Sequence, residues 1–153
     1  MRTVIAAAVA LLTGACGSAI LKSNEIRLPH GDSEIRMLES GAILVSKRQV
    51  GVVKSDGKIV NSRGQLLAWV HDENLRLSGG TSVPISVDAE GAVFLPTSAQ
   101  ERAGLTPISY RVREDGRMSR LKGSRGVDID GAHSLKNRRI ILALLLLTVN
   151  KRW

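Results

Sequence analysis

A metal site needs histidine, cysteine or carboxylate side chains close enough to converge on one ion. The three histidines, His30, His71 and His133, stand far apart, and none has a ligand-spaced partner. Asp128-Ile129-Asp130-Gly131 places two carboxylates and a glycine together, as part of a calcium loop would. It lacks the further oxygen ligands and the closing glutamate, so it reads as a turn. Ser78-Gly79-Gly80-Thr81-Ser82 could cradle an anion on backbone N–H groups, but no lysine follows at phosphate-loop spacing, and a plain loop is the simpler reading. There is no Gly-x-Ser-x-Gly nucleophile turn. The carboxylate pairs Asp72-Glu73 and Glu114-Asp115 fall in expected turns, where solvated charge accounts for them. No metal and no cofactor is called for, and the chain is expected to be non-enzymatic; the weaker alternative is an enzyme with no recognisable motif, its site assembled from distant positions.

Charge offers more. The formal net charge is +8, and its distribution is uneven. Residues 16–110 hold ten basic and ten acidic side chains, whereas residues 111–153 hold eleven basic and four acidic. Arg111, Arg113, Arg117, Arg120, Lys122 and Arg125 form a basic stretch, continued by Lys136, Arg138 and Arg139. Such a field suits contact with anionic lipid headgroups or an acidic envelope polymer. Nucleic acid is the weaker reading, because Tyr110 is the only ring nearby for base stacking and no known binding motif is present.

The amino terminus carries an address. Arg2 precedes an apolar run from Val4 to Leu12, followed by Gly14 and Ala15, which is the layout of a secretory signal over residues 1–15. As helix the run covers roughly 14 Å at 1.5 Å per residue, about half a bilayer core. Thr13-Gly14-Ala15-Cys16 resembles the lipobox of bacterial lipoproteins, with Thr13 where the family prefers Leu. That resemblance implies acylation of Cys16, which would become the mature amino terminus and hold the protein on a membrane. Gly17 and Ser18 suit the tether that follows. The alternatives are a plain signal peptide cut after Ala15 or Ala19, giving a soluble periplasmic or secreted protein, and a retained amino-terminal anchor. Cys16 is the only cysteine, so the chain has no internal disulfide framework.

These groups must be positioned by the rest of the chain, and its middle reads as short β-favouring runs punctuated by glycine. Ser55-Asp56-Gly57, Ser62-Arg63-Gly64, Ser78-Gly79-Gly80, Asp88-Ala89-Glu90-Gly91 and Glu114-Asp115-Gly116 are the expected turns. Strands are expected over 42–46, 50–54, 58–61, 65–70, 75–77, 83–87, 92–95 and 107–113. The loop Glu114-Asp115-Gly116 sets Val112 opposite Met118 and leaves Arg113 facing Arg117, which requires both arginines to be solvated. Ser98-Ala99-Gln100-Glu101 fits a capping box at the start of a short helix over 98–103.

Ile140–Val149 is apolar except for Thr148 and rich in leucine, and it reads as a helix that must be buried on every side. At roughly 15 Å it is too short to cross a bilayer unaided. Core packing, a membrane interface with Trp153 at the boundary, and contact with another chain are all open. The expected fold class is mainly β, a small antiparallel meander, barrel or sandwich with a hydrophobic C-terminal α-helix. Its expected division is a signal at 1–15, a tether and lead-in at 16–34, a β domain at 35–121, a basic, Gly-rich loop at 122–133 and the helix at 134–153.

Overall fold

The glycine-punctuated runs fold as a succession of hairpins built on one repeated turn. The computed structural model describes residues 25–120 and 126–153. Eight strands follow one another in an antiparallel meander: β1 (Ile26–His30), β2 (Ser33–Met37), β3 (Ala42–Val45), β4 (Arg48–Val53), β5 (Lys58–Asn61), β6 (Leu66–His71), β7 (Asn74–Leu77) and β8 (Ser82–Pro84). A second antiparallel sheet contains β9 (Ser86–Val87), β10 (Val93–Phe94), β11 (Tyr110–Val112), β12 (Arg117–Arg120) and β13 (Gly126–Asp128). Two helices complete the described residues, α1 (Thr97–Arg102) and α2 (Leu135–Val149). The fold is therefore mainly β with a C-terminal helix, as expected.

Six of the turns share a hydrogen-bond pattern. At Leu38, Lys54, Asn61, Leu77, Asp88 and Arg113 the backbone N–H donates to the carbonyl four residues on, and the carbonyl accepts from a glycine N–H three residues on. Gly41, Gly57, Gly64, Gly80, Gly91 and Gly116 supply that glycine, each with positive φ. This is the three-residue hairpin loop that ends in a left-handed residue, a conformation glycine adopts without a Cβ clash. Side chains reinforce it: Asp56, Asp88 and Asp115 each accept through Oδ1 from the N–H two residues on. In the last hairpin Val112 faces Met118. Arg113 and Arg117 are both partly solvated, and each turns to its own carboxylate, Asp115 at 2.9 Å and Asp128 at 3.1 Å.

The sheet starts earlier than the sequence suggests. β1 and the start of β2 occupy part of the stretch read as lead-in, with Ile26, Leu28, Ile35 and Met37 alternating into the core. β13 likewise forms within the segment read as a loop. The expected strand 83–87 is divided, because Pro84 has no N–H to donate and Ile85 carries the chain across to the second sheet. Ile85 itself donates to the Glu73 carbonyl at 2.7 Å. On the opposite side the sheets are joined by reciprocal bonds between Arg27 and Asp130, at 3.0 and 2.9 Å. Gly131 follows there with its Cα against the Glu25 carbonyl, leaving no room for a Cβ.

The capping box is not formed. The residue preceding α1 is Pro96, fixed at φ −59°, and its carbonyl accepts from Ala99 and Gln100. Gln100 is fully buried and takes a different part. Its amide donates to Leu95 O (2.9 Å) and Ile108 O (3.0 Å), and its Oε1 accepts from Ile108 N–H (2.7 Å). A side chain thus replaces the ladder partner that residues 107–109 lack, and only Tyr110–Val112 of the expected strand pairs as one.

α2 occupies the core. Ser134 caps it by accepting from Asn137 N–H at 3.0 Å. Ile140 through Leu147 are all buried, against strands of both sheets, β1 and β6 on one side and β10 and β11 on the other. An all-round apolar helix needs an all-round apolar environment, and two facing sheets provide it. Core packing is thus the outcome among the three burials open from sequence. No helix among the described residues is long and apolar enough to cross a membrane.

Candidate functional site

The basic stretch beginning at Arg111 was the expected contact surface, and the structure gives most of its described cations a carboxylate of their own. Arg111 lies on β11 with its guanidinium 3.0 Å from Asp88 Oδ2 and 3.8 Å from Glu90. Its Nε also donates to Ser119 Oγ on β12 at 3.2 Å. Arg113 pairs with Asp115 and Arg117 with Asp128. Arg120 is exposed at the end of β12, opposite Tyr110. Lys122, Arg125 and Cys16 lie outside the described residues.

The three cations in the first turns of α2 oppose the helix dipole, and each is met differently. Arg138 corrects the expectation of a surface contact. Its side chain is 7% exposed, donates to Ala132 O at 2.9 Å and lies 3.6 Å from Glu114. Removing those bonds to reach an external anion would strand a buried guanidinium. Lys136 bridges to the Ser55 carbonyl at 3.4 Å. Arg139 is partly buried, and its Nε makes no hydrogen bond. Lys136 and Arg139 line a cleft of about 470 Å³ with Asp56 and Asp72, so acidic groups already share that space.

The Asp88 carboxylate is tuned by this arrangement. Burial pushes the Asp88 carboxyl up, but the N–H groups of Ala92 and Glu90 and the Arg111 guanidinium outweigh it and hold the group below its ordinary value. A carboxyl depressed in the folded state adds stability above its unfolded value, near pH 4, and that stability is lost as pH falls through the folded value. Urea unfolding between about pH 5 and pH 2 should therefore fall more steeply for the wild type than for Asp88→Asn. Parallel profiles would show that the Asp88–Arg111 contact adds nothing.

Sequence reasoning missed a second basic place. Arg48 on β4, Arg63 in the β5–β6 turn and Arg152 after α2 line one cleft of about 500 Å³. None of the three forms an ion pair among the described residues, and no acidic side chain lines the cleft. Trp153 completes its wall, with Nε1 donating to Thr148 Oγ1 at 3.0 Å. Linear charge counting could not find this group, because its members lie in three separate segments.

Among the described residues no group of three or more His, Cys, Asp or Glu side chains is disposed to hold a metal ion. No protein-family model, no curated protein and no solved structure matches this chain.

Proposed function

We propose that the chain is a non-catalytic envelope protein, exported and held on a membrane through acylated Cys16, with its β domain serving as a binding or structural module. The observation that carries this reading is Thr13-Gly14-Ala15-Cys16 behind a short apolar run and a single early arginine. The burial of α2 supports it, because the second apolar segment is already committed to the core and has no surface to offer a bilayer. Nine residues separate Cys16 from the start of β1. Such a length reaches at most roughly 30 Å when extended, which keeps the β domain close to the headgroups. Anionic lipid or an acidic envelope polymer is then the natural partner for a domain of net positive charge.

Cys16→Ser tests the tether. After expression in bacteria, the wild type is expected in the membrane fraction and resistant to high salt, because acyl chains are insensitive to ionic strength. Cys16→Ser should be recovered in the soluble fraction or washed from the membrane by salt. A variant that stays in the membrane fraction after a salt wash would contradict the tether.

A further inference from the structure

Arg48, Arg63 and Arg152 are brought together by backbone devices that hold them in place. Arg48 follows the two-residue turn Ser46-Lys47, both at positive φ. Asn61 Oδ1 accepts from the N–H groups of Arg63 (2.9 Å) and Gln65 (3.0 Å) and so fixes the turn that carries Arg63. Arg152 donates its N–H to Leu147 O at 2.9 Å, which folds the chain back against the end of α2. Gly51 on β4 lies under the indole of Trp153, and a Cβ there would collide with the Val60 carbonyl and come within 3.3 Å of the ring. The result is a concave site with three guanidinium groups, the amides of Gln49 and Gln65, and an aromatic wall.

Like charges drawn into one cleft repel, and that repulsion is relieved when an anion enters. Arg27, Arg36, Arg111, Arg113, Arg117 and Arg138 each have a carboxylate within 4.0 Å. The three arginines of this cleft, like Arg76, Arg102, Arg120 and Arg139, have none among the described residues, and these three share one concave surface. A planar guanidinium donates two parallel N–H bonds to the oxygens of a phosphate, and three of them exceed what a single carboxylate can balance. We propose that the cleft formed by Arg48, Arg63, Arg152 and Trp153 binds a phosphate group, carried either by a free soluble phosphate or by an anionic lipid headgroup. The site is independent of Cys16 and stands whether or not the chain is acylated.

The chain contains two tryptophans, so Trp69→Phe leaves Trp153 as the sole indole reporter. In that background the full-length protein is titrated with inorganic phosphate, with inorganic pyrophosphate, and with phosphatidylglycerol vesicles against phosphatidylcholine vesicles. A saturable change in Trp153 fluorescence is expected, weakened by added salt. Arg48→Ser, Arg63→Ser or Arg152→Ser alone should weaken binding by roughly fivefold, and the triple variant should abolish it. Circular dichroism should remain unchanged in all of them, because the three side chains are exposed and have no ion pair among the described residues. Arg102→Ser, exposed and outside the cleft, should bind as the wild type does. A response to the soluble phosphates identifies a free ligand, and a response to phosphatidylglycerol vesicles alone identifies a headgroup. Both support the site provided the triple variant loses the response. No saturable response to any probe, or a response undiminished in the folded triple variant, would overturn it.

Discussion

Leu144→Asp leaves the chain unfolded in water. Leu144 is fully buried in the middle of α2, between strands of both sheets. A carboxylate there would have neither water nor a partner, which costs several kcal/mol beyond the roughly 2–5 kcal/mol lost with the leucine side chain itself. Domains of this size are stable by roughly 5–15 kcal/mol, so the loss takes most of the margin or all of it. Leu144→Ala keeps the effect measurable, with an expected loss of about 2–5 kcal/mol from lost transfer energy and the remaining cavity. Urea unfolding followed by far-UV circular dichroism reads both variants. If α2 instead lay in a membrane interface, either substitution would reduce vesicle binding and leave cooperative unfolding unchanged. That pattern would contradict the placement of the helix between the sheets.

Gln100→Met is expected to have the next largest effect on stability, roughly 2–4 kcal/mol. The two side chains are similar in length, so packing is nearly conserved and hydrogen bonding is what changes. The substitution removes both donors and the acceptor that serve Leu95 and Ile108, leaving three buried backbone groups unsatisfied. The consequence should be local as well as global. Residues 103–109 connect α1 to β11, and Thr106 in turn is tied to Asn150 at the end of α2 by bonds of 2.8 and 3.0 Å. Amide exchange at Ile108 should therefore accelerate in the variant well before the chain unfolds. A loss below about 1 kcal/mol with unchanged exchange at Ile108 would mean that water replaces the glutamine without penalty.

The local chemistry of the turns was readable before the fold was. A glycine closing each polar loop between short β-favouring runs specifies a loop type with its own hydrogen bonds, and the five expected turns all connect consecutive strands. The three-residue loop at Glu114-Asp115-Gly116 follows from keeping Val112 and Met118 on one face, which is the pairing observed. The first hairpin was less readable. Its alternation of Ile26 and Leu28 with Ile35 and Met37 is regular, but Pro29 interrupts the first run and only five residues contribute to each strand. Gln100 shows a different limit. A polar residue in a short helix beside Ser98 and Glu101 suggests capping, and nothing local reveals that its amide will serve a segment eight residues away.

The candidate site depended still more on what lies far off in sequence. The excess of positive charge after residue 110 is real, but Asp88, 23 positions before Arg111, reaches into that region and pairs with it. Glu114 does the same for Arg138 from the neighbouring hairpin. Charge summed along the chain therefore overstates the field that a partner would meet there. The opposite holds at the cleft of Arg48, Arg63 and Arg152, where cations from three separate segments converge in space. Hairpin register and the return of the chain after α2 produce that convergence.

The membrane tether is tested most directly by the intact mass of the protein recovered from a bacterial membrane fraction. The proposed function predicts a chain that has lost residues 1–15 and carries added acyl mass on Cys16. An unmodified chain cut after Ala15 or Ala19 and found in the soluble fraction, or an intact chain still beginning at Met1, would contradict it.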